Sequence, residues 1–114
     1  MDVLNRTLVT LIPQLPFLAW VKALGDDCAA ISESDLLEDC NAYLVPELES
    51  EEDLEEFFEL SYERFFEAEL ADWVEEEAKW PESRDYLAFQ KFFDVQVQTV
   101  VYDMVNEPIE KDPY

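Results

Sequence analysis

The chain has 114 residues, with 29 acids, seven bases and no histidine, for a formal net charge of −22 at pH 7. That length corresponds to one domain, by the usual prior of roughly 100–200 residues, and 49% hydrophobic residues exclude a disordered chain. The negative field excludes direct binding to nucleic acid or an anionic membrane and attracts basic partners, while the missing histidine removes the commonest general base and metal ligand.

Arg6–Ile12 is rich in β-branched residues and ends at Pro13, the signature of a strand. Asp2 and Asn5 before this short apolar run do not make a signal peptide, and no apolar run reaches the ~20 residues of a membrane span. A cytoplasmic location is expected. Pro16 suits the first turn of a helix. Phe17, Trp20, Val21 and Leu24 then share one face, and Gly25, the chain's one glycine, is placed to cap the helix in the left-handed conformation. Ser34–Glu38 reads as a capped helical turn. Asn41–Pro46 is a second strand, with Pro46 at an edge or marking its end. Cys28 and Cys40 match no redox or zinc spacing and are expected as reduced, apolar side chains.

Residues 51–77 form the organising element, one long helix. Leu54, Phe58, Tyr62, Phe65, Phe66, Leu70 and Trp73 recur at steps of three and four and mark the core. Ser50 is its N-cap, with Asp53 three residues on. Glu75, Glu76 and Glu77 fall at the negative end of the helix dipole, an unfavourable placement. The helix stops by Trp80, before Pro81. Ser83 caps a further helix with Tyr86, Phe89, Phe92 and Phe93 on its apolar face. Asp94–Tyr102 alternates as a strand. The resulting fold class is α+β, a small sheet of about three short strands covered by three or four helices. Residues 1–105 are expected as one domain, and 106–114 as a mobile tail.

The strand run Tyr43-Leu-Val-Pro-Glu47, the Trp80-Pro81 stop and Val100-Val-Tyr-Asp103 together resemble a family of small acidic bacterial proteins. The likeness covers roughly residues 43–105 and carries no established function.

Charge is unevenly distributed: net +1 over residues 1–24, −8 over 25–50, −12 over 51–77 and −3 over 78–114. Glu52, Glu56, Glu59, Glu63 and Glu67 recur at helical steps opposite the aromatic stripe. Ordinary solvent faces mix Glu with Lys at i, i+4. Here Glu52/Glu56, Glu55/Glu59, Glu59/Glu63 and Glu63/Glu67 are like-charged, each costing about 0.2–0.5 kcal/mol. Those five glutamates are therefore the candidate partner-binding residues. Their spacing, about 5–6 Å per turn, imitates the charge density of a nucleic-acid backbone, so the expected partner is a basic protein such as a DNA-binding protein or a nuclease. Two alternatives stand beside this reading: a carboxylate-based, metal-dependent enzyme, and a structural subunit whose acidity serves solubility. No catalytic residue and no cofactor is assigned. Glu47–Asp53 lacks the central glycine of an EF-hand, and Glu63, Glu67 and Glu69 lack the Glu-x-x-His of a di-iron site.

Overall fold

In chain order, the computed structural model, which describes residues 1–113, places β1 at Asp2–Val3, β2 at Thr7–Pro13, α1 at Leu15–Lys22 and α2 at Glu33–Glu38. β3 (Ala42–Val45), α3 (Glu51–Ala71), α4 (Tyr86–Phe92), β4 (Phe93–Gln98) and β5 (Tyr102–Asp103) follow. The α+β expectation stands. β2 is the centre of an antiparallel sheet ordered β3-β2-β4, and β1 pairs with β5 in a separate two-stranded ribbon. Register places Val9 opposite both Tyr43 and Val97, so these three share a face. Alternate residues of β2, namely Thr7, Val9, Leu11 and Pro13, are buried there, while Leu8, Thr10 and Ile12 are only half-buried on the other side. The helices therefore cover one face of the sheet.

The core is aromatic. Phe66 of α3 lies against Phe89 (5.8 Å between ring centroids), Phe92 (5.3 Å) and Phe93 (6.0 Å), and Phe17 of α1 lies 4.9 Å from Phe93. Most of these rings meet edge-on or tilted, as their quadrupoles prefer. The Thr7 hydroxyl is fully buried on β2 and accepts the Leu48 N–H (3.2 Å), which ties the approach to α3 onto the central strand. Ser50 caps α3 as expected, its hydroxyl accepting the Asp53 N–H.

Several boundaries differ from the sequence reading. α3 ends at Ala71, not Glu77, so Trp73 lies past the helix and is 37% exposed. The dipole explains the early stop, because a longer helix would carry Glu75–Glu77 at its negative end. The chain instead turns out at Asp72, and Glu77–Lys79 form a short 3-10 turn. The Trp80 indole N–H donates to the Val74 carbonyl (2.8 Å) and the Trp20 indole N–H to the Lys79 carbonyl (3.0 Å), fixing this loop.

α1 ends at Lys22 with Ala23 as its C-cap, and Gly25 has no positive φ, so glycine is not the cap. Ser32, not Ser34, caps α2 through a reciprocal capping box with Asp35. Asp35 is held below its ordinary carboxylate value by its hydrogen bonds from Ser32. Asp85, not Ser83, caps α4. The third expected strand breaks after Gln98: Phe93 passes directly from α4 into β4, and Tyr102–Asp103 turn away to pair with β1. Cys28 and Cys40 are free thiols. Residues 106–113 contain no helix or strand, and Tyr114 of the expected tail lies outside the described residues.

Candidate docking surface on the acidic helix

α3 shows three different faces. Its inner face buries Phe58, Phe65, Phe66 and Leu70, with Leu54 and Tyr62 half-buried at its margins. Flanking it lies the row of Glu52, Glu56, Glu59, Glu63 and Glu67, and all five are exposed. The row sits about a quarter turn from the buried face rather than opposite it as expected, because Phe66 and Leu70 follow Glu59 and Glu63 by seven residues and share their azimuth. From first to last the row runs about 22 Å along the helix axis. Among the described residues the ion pairs are Lys79–Glu76 (3.7 Å) and Arg84–Glu77 (3.2 Å), and both lie off the helix. None of the five ridge carboxylates has a cationic partner. The structure thus brings every predicted ridge residue onto one uninterrupted surface.

The ridge also acts on a neighbouring ring. The Tyr86 hydroxyl of α4 is pushed above its ordinary value by burial and by the nearby charges of Glu55 and Glu59. Tyr62, whose ring lies 5.4 Å from that of Tyr86, is raised by desolvation and then by Glu63.

The third face was not anticipated. A groove of about 400 Å³ separates this flank of α3 from β3, with Phe57, Ser61, Arg64 and Ala68 on the helix side and Leu44 and Pro46 on the other. Leu60, on the helix rim beside it, is 82% exposed. The sequence signal was an apolar residue out of phase with the aromatic stripe. Its significance depends on β3 lying alongside, which periodicity does not reveal.

Glu69 was also missed, although its position in phase with Phe65 and Phe66 places it on the buried face. It is only 6% exposed. Its Oε1 accepts hydrogen bonds from the Tyr43 hydroxyl (2.7 Å) and from Asn41 Nδ2 (3.3 Å), and the same Asn41 amide donates to Asp72 (2.8 Å). Burial raises the Glu69 carboxyl above its ordinary value, against the lowering effect of its two hydrogen bonds, and Asp72 adds to the rise. Tyr43 is raised strongly, first by burial and then by Glu69. Cys40 beside them is raised by burial, Glu69 and Asp39. Glu69, Asn41, Asp72 and Cys40 edge a cleft of about 360 Å³ closed on its apolar side by Leu11, Phe17 and Trp73, whereas Tyr43 lines the groove beside β3. Chemically, the network ties the strand β3 to the end of α3. Among the described residues no group of three or more acids and cysteines is placed to hold a metal ion, and no helix is long and apolar enough to cross a membrane.

Comparison with protein-family models, with curated proteins and with solved structures finds no match to this chain.

Proposed function

We propose that the protein is a non-enzymatic, acidic interaction protein of a bacterial cytoplasm, in which α3 docks on a basic protein surface that otherwise meets nucleic acid. The resemblance to small acidic bacterial proteins belongs to the same proposal. The observation that carries it is the ridge: five exposed carboxylates at helical spacing, none of them in an ion pair among the described residues. A face serving solubility alone has no reason to accumulate like-charged i, i+4 pairs. Four such pairs cost about 1–2 kcal/mol together, a noticeable part of a typical stability of ~5–15 kcal/mol. The ridge instead supports electrostatic steering, with fast association that weakens as salt rises. Glu69 is the strongest residue for a carboxylate enzyme, but its hydrogen bonds to Tyr43 and Asn41 give it a structural task.

The test is capture of basic proteins on the immobilised chain at about 0.1 M salt, followed by displacement with duplex DNA and by higher salt. Changing Glu52, Glu56, Glu59 and Glu63 together to Gln keeps side-chain size and removes the charge. Capture is expected to fall sharply. Neutralising Glu107, Glu110 and Asp112 in the tail should change it little. Equal losses from the two sets would reduce the binding to diffuse attraction and end the proposal.

A further inference from the structure

Charge steers but does not dock, so a partner held only by the ridge lacks close apolar contact. The groove between α3 and β3 supplies it. β3 is an outer strand, bonded to β2 along one edge. Among the described residues, the backbone of Ala42–Val45 pairs with no other element. An open edge is a template for another extended chain, and proteins commonly blunt it with charge or proline. The opposite edge of the sheet is polar on its exposed side, where β4 presents the charge of Asp94 beside Gln96 and Gln98. β3 differs: Ala42-Tyr-Leu-Val45 carries no charge, and Leu44 is half exposed.

Across the groove, Phe57, Ser61 and Ala68 form a mostly apolar wall on α3. Leu60 stands on the rim of that wall. Helical spacing puts Glu56 four residues before it and Glu63 three after, so the exposed leucine lies between groove and ridge. Moving outward from the sheet, one meets an unpaired strand edge, an apolar trough, a bare leucine and then a row of uncompensated carboxylates.

We propose that the groove takes an extended segment of the basic partner, which adds as a strand to the free edge of β3 and seats alternate apolar side chains in the trough, while lysine or arginine residues flanking the paired stretch reach over Leu60 to the ridge. This inference rests on the docking function above. Charge complementarity selects the occupant, since a second copy of this chain brings another −22 and is repelled. Arg64, the one base on α3, lines the groove and has no ion pair among the described residues. It disfavours a cation within the trough and so directs the basic side chains outward.

The probe is a capped peptide of about five valines with two lysines at each end, long enough to pair along all of β3. Its control replaces valine by serine at the same charge. In titrations of the full chain followed by amide NMR, the valine–lysine peptide is expected to bind at least about tenfold tighter than the control. Shifts should concentrate at Ala42–Val45, Phe57, Ser61 and Ala68. N-methylating the peptide amides of one alternate set should abolish binding, while methylating the other set should leave it intact. Leu44→Gln with Leu60→Gln, both at exposed positions, should weaken the complex several-fold. Equal affinity for the two peptides, shifts confined to the ridge, or indifference to both methylation patterns would overturn the inference. The two proposals fail separately. A valine–lysine peptide no better than its control, with ridge-dependent capture intact, removes the groove alone. Capture indifferent to ridge neutralisation removes the docking function itself.

Discussion

Glu67 and Glu69 lie two residues apart on the same helix and occupy opposite environments. Glu67 projects into solvent among like charges. Glu69 is buried against Tyr43 and Asn41. Two residues on a helix turn the side chain by about 200°, enough to carry one glutamate from the outer ridge to the core. On the ridge a carboxylate is solvated and replaceable. In the core it is desolvated, and its hydrogen bonds decide whether neighbouring polar groups are satisfied. An acidic composition therefore does not define one role for its acids.

The sharpest test of the contrast is on the core side. Phe66→Ala and Phe58→Ala should each cost about 3–5 kcal/mol in a denaturant melt, because each removes a ring enclosed by other rings and leaves a cavity. A loss below about 1 kcal/mol would mean that α3 does not pack by this face. Next comes Glu69→Ala, expected to cost about 1–3 kcal/mol by orphaning the Tyr43 hydroxyl and an Asn41 donor. The same truncation at Glu67 should fall within about 0.5 kcal/mol. Equal effects at the two sites would erase the distinction.

Glu69→Gln refines it. Burial raises the folded-state value of this carboxyl above its ordinary 4.5. The group thus contributes stability that is full below pH 4.5 and is lost as pH rises through the raised value. Glutamine imitates the protonated form at every pH. The variant should match the parent near pH 4.5 and gain on it as pH rises toward 7, as read from urea melts across that range. A gain that grows instead as pH falls would reverse the sign of the assignment. The smallest effect is expected from Glu59→Lys, which converts two like-charged pairs into opposite ones and should stabilise by a few tenths of a kcal/mol up to about 1. Clear destabilisation would place Glu59 in a buried setting.

Much of the fold was legible because it depends on local pattern. The steps of Phe58, Phe65, Phe66 and Leu70 announced α3, the β-branched run at Thr7 announced β2, and Ser50 marked a helix start. The ridge was legible for the same reason. What escaped depends on partners distant in the chain. The stripe continues in phase through Trp73, so periodicity ran past Ala71, and only the burdened dipole at Glu75–Glu77 hinted at an earlier end. Asp94–Tyr102 alternates throughout, yet β1 draws off its last residues. The role of Glu69 required Tyr43 and Asn41, and the groove required the place of β3 at the sheet edge, neither of which is encoded in the spacing on α3.

The placement of β2 has a consequence for how the molecule comes into being. This central strand is made well before β4, one of its two neighbours, with α1 to α4 between them. Local helices can form as they emerge during synthesis, but the sheet must wait for a contact between distant parts of the sequence. Such long-range closure is slow and is expected to limit the folding rate. Until it occurs, Val9 and Leu11 present an unpaired apolar strand edge to the surroundings, the kind of transient species that associates wrongly. The dense negative charge already made by residues 25–77 repels like chains throughout that interval, so the acidity also protects the nascent protein from its own copies.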